Sequence, residues 1–227
     1  MSEWWTYRPE DFLLFSLRTY GRMFELQNAT LWPLQALTLA LGFIMIVLVV
    51  RQPFASGRFI VLVLTILWAF VGWSFLWNRY ATINWAAAYV APAFALQALL
   101  LLISGILLNG LVFDRRGPAC WTGYVLLAFA IGGQPLLAPL QGRAWAASEI
   151  FGIAPDPTAI GTLGFLLLAR GKCVSLLLPI PFVWCLLSGI TLWTMGAPAW
   201  VPFAAATLTL ATCIGTIIQQ RRLPPTE

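Results

Sequence analysis

The chain has 227 residues, of which 60% are hydrophobic and only 9% are charged, and its formal net charge is +5. A soluble domain has about 25% charged residues, so this composition excludes an ordinary soluble fold and favours a membrane protein. The basic balance does not indicate a nucleic-acid partner, because the arginines lie beside long apolar blocks rather than in a patch interleaved with aromatic residues.

An amphipathic segment precedes the first long apolar block. Pro9, Glu10 and Asp11 make a favourable helix start, because proline suits the first turn and acidic side chains are stabilised near the positive end of the helix dipole. Residues 12–25 then interleave aromatic with charged side chains, which is typical of a helix lying in the membrane interface. We therefore predict an N-terminal interfacial segment at residues 1–29.

Seven apolar blocks follow, separated by short loops. They are Leu31–Val50, Phe59–Trp77, Ile83–Phe113, Trp121–Leu140, Thr158–Ala169, Cys173–Met195 and Ala199–Ile218. Because about 20 apolar residues cross the bilayer core, the blocks predict an all-α polytopic transmembrane helical bundle of about seven spans. The fifth block is the exception, since as a helix it would reach only about 18 Å. The bundle is expected to fill residues 30–218 of one integral membrane domain, 1–227, with a tail at residues 219–227.

Basic residues alternate between the loops and predict the orientation. One side of the bundle would carry Arg51, Arg58, Arg115, Arg116, Arg170, Lys172, Arg221 and Arg222, and the other would carry Arg8, Arg18, Arg22, Arg79 and Arg143. Cytoplasmic loops retain lysine and arginine, so the first side is expected to be cytoplasmic. The predicted location is therefore the inner (plasma) membrane, with the N-terminus outside and the C-terminus in the cytoplasm. Tryptophans near block ends are expected to anchor at the interfaces; they are Trp32, Trp77, Trp85, Trp121, Trp193 and Trp200.

Acidic residues are concentrated on the predicted outer side. Six of the eight lie there, namely Glu3, Glu10, Asp11, Glu25, Glu149 and Asp156. Asp156 is expected to cap the short fifth helix, with Pro157 at its first position. Many carriers bind anionic groups at the N-terminus of such a short helix, whereas an ordinary cap is the alternative interpretation.

Any functional site is expected on the outer half, where the N-terminal helix, the start of the third block and the fifth block meet. The candidate residues of this polar site are Arg22, Glu25, Asn28, Arg79, Asn84, Arg143, Glu149 and Asp156. Pairing that only stabilises the fold is the alternative for them. Four polar residues inside the blocks either line a cavity or bond neighbouring helices; they are Gln35, Gln97, Asn109 and Gln134.

The residue types argue against catalysis and against a bound cofactor. The chain has no histidine, which is the commonest general acid or base and a frequent metal ligand. Its four cysteines lie far apart and form neither a disulfide framework nor a zinc motif. We predict no catalytic, cofactor-binding or metal site, so the protein is not expected to be an enzyme and no cofactor is expected.

Short motifs are spread over most of the chain. They are Asp11-Phe-Leu-Leu-Phe15 followed by Arg18-Thr-Tyr20, Asn28 with Trp32-Pro33, Ile83-Asn84 with Ala86-Ala87, Gln97-Ala98, and Pro155-Asp-Pro-Thr-Ala-Ile-Gly-Thr-Leu-Gly164. In combination they resemble an uncharacterised family of bacterial multi-pass membrane proteins that is catalogued as a domain of unknown function. The resemblance implies the helical bundle and a bacterial inner membrane, and it implies no activity.

Three functional classes remain for such a bundle, and an intramembrane enzyme ranks last because the chain has no histidine for an acid–base pair or a metal site. Bent helices and a polar outer vestibule favour a small-solute permease or a channel-like protein. Small size and the lack of catalytic groups favour the alternative, a non-catalytic accessory or assembly subunit of a larger membrane complex. The expected partners are the lipid bilayer and either partner membrane subunits or further copies of the chain in a homo-oligomer, with no nucleic acid.

Overall fold

A computed structural model describes residues 15–51, 56–113, 117 and 119–222 of the protein. The helices are α1 (Leu17–Leu31), α2 (Leu34–Arg51), α3 (Ser56–Val71), α4 (Ala86–Leu101), α5 (Ala119–Ala128), α6 (Gln134–Leu140), α7 (Pro155–Leu168), α8 (Val174–Leu177), α9 (Pro179–Thr194) and α10 (Trp200–Arg222). Two short strands, β1 (Val112–Phe113) and β2 (Ala169–Arg170), form the sheet of the described residues. The fold is therefore all-α, as the apolar blocks predict.

Six helical segments are long and apolar enough to cross a membrane. They are Leu34–Arg51, Gly57–Thr82, Ala86–Leu107, Ala119–Leu140, Val174–Thr194 and Trp200–Gln219. Each corresponds to one predicted block, so the multi-pass character of the chain is confirmed. The remaining block is α7, which has only 14 residues and falls short of a full span.

The helix that the third block forms is shorter than the block itself. Its helix begins at Ala86, after a turn of 3₁₀-helix at Tyr80–Thr82, and its helical hydrogen bonding ends with a π-helical segment at Leu102–Leu107. Asn109 then has a φ of 46°, in the left-handed region where many helices stop. The chain beyond it forms β1 instead of projecting as a longer helix.

Two other π-helical segments interrupt long helices. Gly72–Trp77 follows α3, and Phe129–Gly133 joins α5 to α6. The second one immediately precedes Gln134 and Pro135, where the sequence predicts a bend because proline lacks an amide hydrogen. A π-helical turn inserts one extra residue per turn and so changes the direction of the side chains that follow.

The short helix α7 forms the centre of the bundle. All of its residues except Leu167 are buried. It packs closely on α5, because a Cβ atom added at Gly164 would lie 2.8 Å from the carbonyl oxygen of Gly123, and one added at Gly123 would lie 2.9 Å from that of Gly164. Small residues that let two helix backbones touch are typical of packing within membranes. Longer helices therefore enclose a helix that itself reaches about 21 Å.

The two ends of the bundle differ in what closes them. We call the first the sheet end, where β1 pairs antiparallel with β2 and the Arg58 Nε donates to Asn109 Oδ1 over 2.6 Å. We call the opposite one the α1 end, where α1 contacts the turn Trp145–Ala147. The side chains of the six tryptophans expected at block ends are all more than half exposed, as interfacial anchoring requires.

One face of α1 is packed onto the bundle. Its buried residues recur at helical spacing and are Tyr20, Gly21, Met23, Phe24 and Gln27. Ser16 caps the helix, since its hydroxyl accepts a hydrogen bond from the Thr19 amide. The predicted start at Pro9 lies outside the described residues. The amphipathic character is confirmed for α1, the described part of the predicted segment, and its buried face meets protein.

Candidate functional site

A cavity of about 370 Å³ opens at the α1 end between α1, α6, α9, α10 and the start of α7. We call it the acidic cavity. Its lining includes Leu17, Tyr20, Gln134, Leu137, Gln141, Arg143, Glu149, Asp156, Leu192, Ala197, Pro198, Val201 and Pro202. The most buried polar residues of this lining are Gln134, at the start of α6, and Asp156, in the first turn of α7.

Asp156 lies in the first turn of α7 and is 2% exposed. The prediction that it caps the helix is wrong, because the helix begins at Pro155 and the Asp156 carboxylate faces α9. There Trp184 Nε1 donates to Oδ1 over 2.8 Å, and the Ser188 hydroxyl donates to Oδ2 over 2.6 Å. The carboxylate is thus held by two fixed donors.

Thr158, rather than Asp156, makes the side-chain hydrogen bonds to the backbone just before α7. Its hydroxyl accepts from the amide of Gly152 and donates to the carbonyl of Ala154. Gly152 has a φ of +78°, which glycine adopts without strain, and the chain reverses there into α7. This tight turn frees the Asp156 side chain to point sideways, away from the helix axis.

Glu149 is a second buried carboxylate on the same cavity, and it is 9% exposed. Gln134 Nε2 donates to its Oε2 over 3.2 Å, while Arg143 Nη2 lies 4.0 Å from its Oε1. Burial, together with the negative charge of Asp156, raises the pKa of Glu149, and the opposing effect of Arg143 is smaller. The arginine therefore compensates the two acids only in part.

Two polar atoms of the lining have no hydrogen-bond partner although they are buried. One is the Oε1 of Gln134, a residue that is 3% exposed, and the other is the Nε of Arg143. Buried polar groups are normally paired, so such atoms require an explanation. An unused acceptor and an unused donor thus belong to two residues that line the cavity beside its carboxylates.

A second cavity of about 530 Å³ shares Leu17 and Arg143 with the acidic cavity. We call it the arginine cavity. Its charged lining residues are Arg18, Arg22, Glu25 and Arg143. Glu25 is already paired with Arg22 on the same helix face. The two neighbouring cavities therefore have opposite electrostatic character, with Arg143 at their boundary.

A third, smaller cavity of about 120 Å³ lies beside α9 and the start of α4. Its lining includes Tyr20, Tyr80, Asn84 and the two donors to Asp156, Trp184 and Ser188. The Asn84 side chain accepts from the amide of Ala86 at the start of α4. Burial, and then the charges of Asp156 and Glu149, raise the pKa of Tyr20, so its hydroxyl remains protonated.

The eight candidates from the sequence are thus divided among several places. Three of them line the acidic cavity, and Arg22 and Glu25 join Arg143 in the arginine cavity. Asn28 and Arg79 line neither, because they fasten α1 to the bundle. Asn28 Nδ2 donates to the carbonyls of Ala146 and Ser148, and Arg79 Nε donates to Gln27 Oε1 over 2.6 Å.

Sequence reasoning missed Tyr20, Trp184 and Ser188 as site residues. Trp184 carried a usable signal, because it stands inside an apolar block rather than at a block end, and a buried indole N–H normally needs an acceptor. Gln134 was one of four polar residues with two open interpretations. It lines the cavity and bonds Glu149, whereas Gln97 bonds the carbonyl of Leu177 on a neighbouring helix.

The described part of the chain contains no group of three or more His, Cys, Asp or Glu side chains that could hold one metal ion. Neither a curated protein nor a solved structure matches the sequence. One family model does match, and it covers residues 18–223, which include every residue named in the lining of the three cavities except Leu17. The chain therefore belongs to the family of unknown function DUF6064.

Proposed function

We propose that the protein is a permease for a small solute, and that the acidic cavity is its outward-facing binding site. The observation that carries this proposal is the position of Asp156 and Glu149, two buried carboxylates at the floor of a cavity open at the α1 end. Ionisable groups within a membrane bundle are costly, and they normally mark a solute or proton pathway. A merely structural role would not need an opening above them.

The architecture around α7 supports transport rather than passive scaffolding. Its N-terminus stands at the cavity floor, and its 14 residues do not reach across a bilayer. Discontinuous or short helices that end near the bilayer midplane form the binding sites of many carriers. Opening toward the sheet end requires α7 to move against α5, where Gly123 and Gly164 now bring the backbones into contact.

The orientation is part of the proposal. We place the α1 end outside and the sheet end in the cytoplasm, because Arg51, Arg58 and Lys172 belong to the sheet side. A reporter enzyme fused after Glu227 should be active only if it folds in the cytoplasm. Activity confined to a reporter that needs export would contradict the orientation and would place the cavity on the cytoplasmic side.

Transport is tested with purified protein in liposomes. Uptake is measured for a labelled sugar, amino acid, dicarboxylate and amine, each against liposomes that contain the Asp156→Asn variant. We expect protein-dependent uptake of at least one solute, with Asp156→Asn abolishing it. Lys172→Gln is the control, because Lys172 is exposed, follows β2 at the sheet end and is not among the lining residues of the cavity.

Equal uptake by wild-type and Asp156→Asn liposomes for every solute would overturn the proposal. Native purification of the protein with a stoichiometric second subunit, combined with that result, would support the accessory-subunit alternative instead. Membrane abundance of both variants is measured in parallel, so that loss of uptake is not confused with loss of folded protein.

A further inference from the structure

We propose that the solute is a small zwitterion, which binds with a primary ammonium group toward Glu149 and Asp156 and with its anionic group toward Arg143. This inference rests on the proposed function only in taking the acidic cavity as the solute site. It concerns the chemistry of the occupant, which can be tested by binding whether or not transport occurs.

The floor of the cavity offers acceptors that match an ammonium group. Glu149 and Asp156 supply carboxylate oxygens, and Gln134 supplies an Oε1 atom that is buried and without a partner. The Gln134 amide nitrogen donates to Glu149, which leaves its oxygen as the unused atom. A primary ammonium has three N–H donors and no acceptor. Three acceptor groups in one small space therefore suit it better than they suit a hydroxyl or an anion.

The charges of the acidic cavity also favour an ammonium group at its floor. Two carboxylates and one arginine line it, and the closest approach of the arginine to Glu149 is 4.0 Å. With both acids ionised, the lining has one more negative charge than positive charges, and a single ammonium group would balance it. A divalent metal ion prefers six or more oxygen ligands, and the fixed donors on Asp156 from Trp184 and Ser188 already occupy part of that carboxylate.

The anionic group of the solute should lie at the boundary between the two larger cavities, next to Arg143. Arg143 lines both, and its Nε has no partner. Beyond it, the arginine cavity adds Arg18 and Arg22 against the single acid Glu25. Because a guanidinium binds carboxylate or phosphate through paired N–H donors, the anionic end of the solute belongs there. The field along the two cavities thus runs from negative to positive, as a zwitterion requires.

The size of the site limits the length of the solute. A volume of about 370 Å³ lies near the lower end of small-molecule sites. A free amino acid has the required groups, and so has the ethanolamine phosphate headgroup of a lipid. Both sources share the same chemistry, and the binding test separates them.

The test measures binding to purified protein in detergent by the quenching of tryptophan fluorescence and by the shift of the thermal midpoint. The probes are alanine, alanine amide, N-acetylalanine and glycerophosphoethanolamine. Alanine or glycerophosphoethanolamine should bind saturably, alanine amide about tenfold more weakly because it lacks the anionic group, and N-acetylalanine not at all. Tighter binding of the phosphate compound than of alanine would identify the lipid headgroup as the source. Equal or tighter binding of N-acetylalanine, or no binding of either zwitterion, would overturn the inference.

Variants assign the two ends of the solute. Gln134→Met removes both the unpartnered acceptor and the donor to Glu149 at similar volume, so it should weaken zwitterion binding about tenfold and also lower the ligand-free thermal midpoint, which is measured separately. Gln97→Met is the matched control, because Gln97 is also buried with an unpartnered Oε1 but lies against Leu177, away from the cavity. Arg143→Gln should abolish the preference for alanine over alanine amide. An unchanged preference, or equal weakening by both glutamine variants, would contradict the assignment.

This design separates the inference from the proposed function. Zwitterion binding without uptake into liposomes would reject the permease and retain the binding site. Uptake of a sugar or a dicarboxylate with no zwitterion binding would retain the permease and reject the zwitterion.

Discussion

The α1 end and the sheet end close the same bundle with different kinds of contacts. At the sheet end, backbone atoms make part of the closure, through the β1–β2 pairing, beside the side-chain bond from Arg58 to Asn109. At the α1 end, side chains make it, through bonds such as Trp184 to Asp156 and Arg79 to Gln27. Backbone pairing does not depend on ionisation, and neither does the bond from Arg79 to Gln27, whereas the bonds that the Asp156 and Glu149 carboxylates accept do. Among the described residues, sensitivity to pH and to ligands should therefore be greatest at the α1 end.

The largest effect is expected where the helix backbones touch. Gly164→Leu places a side chain against the carbonyl of Gly123, which cannot move away without shifting α5. We expect a loss of about 3 kcal/mol or more of stability, measured as thermal denaturation in detergent and as membrane abundance. Gly215→Leu is the control, since a Cβ added at Gly215 meets nothing within 4 Å. Similar stability of the two variants would show that the packing of α7 on α5 is looser than described.

A smaller loss is expected from the donors that hold Asp156. Ser188→Ala removes the hydroxyl that donates to Oδ2 of this buried carboxylate, and should cost about 2 kcal/mol because hydrogen bonds to charged groups are the stronger ones. Ser104→Ala is the matched control: Ser104 is also buried, but its hydroxyl bonds the Leu100 carbonyl within its own helix. Denaturation of both variants at neutral pH decides the comparison. A greater loss of stability in Ser104→Ala than in Ser188→Ala would contradict the proposed difference between the two ends.

The pH dependence of stability should come from Glu149. Its pKa is raised from 4.5 to about 7 by burial and by the charge of Asp156. Because the folded state holds this proton more tightly than the unfolded state, stability should fall as the pH rises from about 4.5 to about 7. We expect a change on the order of 1 kcal/mol, since the side chain borders an open cavity that screens it.

Glu149→Gln should flatten this profile, and Glu25→Gln, at an exposed pair on α1, should leave it unchanged. Thermal midpoints across the pH range measure the profile for all three proteins. A rise of wild-type stability over the same range would reverse the sign and refute the assignment to Glu149.

The smallest effect is expected at the surface of α1. Arg22→Gln breaks the ion pair with Glu25, and the Arg22 side chain is 65% exposed. Such pairs contribute about 0–1 kcal/mol, so the thermal midpoint should barely change and should become insensitive to salt. A large loss of stability would mean that water screens the Arg22–Glu25 pair less than the 65% exposure of the Arg22 side chain indicates.

The fold was largely predictable from the sequence because hydropathy depends on the average character of long segments. Six apolar blocks became spanning-length helices, and the family resemblance was confirmed by the match over residues 18–223. The burial of α7 was not predictable, since a short apolar block reads the same whether lipid or protein surrounds it. The end of α4 was missed because a single left-handed residue, Asn109, stops a helix inside an apolar run.

For the candidate site, the sequence predicted only the side of the membrane on which its residues lie. Alternating arginine-bearing loops grouped Arg143, Glu149 and Asp156, and the structure brings these three to one cavity. Their partners could not be read in advance, because Trp184 and Ser188 lie 28 and 32 residues from Asp156 along the chain. Asn28 and Arg79 were chosen for their polarity, but their contacts hold α1 in place.

The shortness of α7 has an electrical consequence for a bundle placed in a bilayer. Water that fills the acidic cavity carries the potential of its own compartment down to the first turn of the helix. The membrane voltage then falls across the roughly 21 Å of α7 rather than across a core of about 30 Å, so the local field is stronger by roughly 40%. A net charge crossing this layer would gain or lose about 2.3 kcal/mol per 100 mV, whereas an electrically neutral solute would cross it without doing work against the voltage.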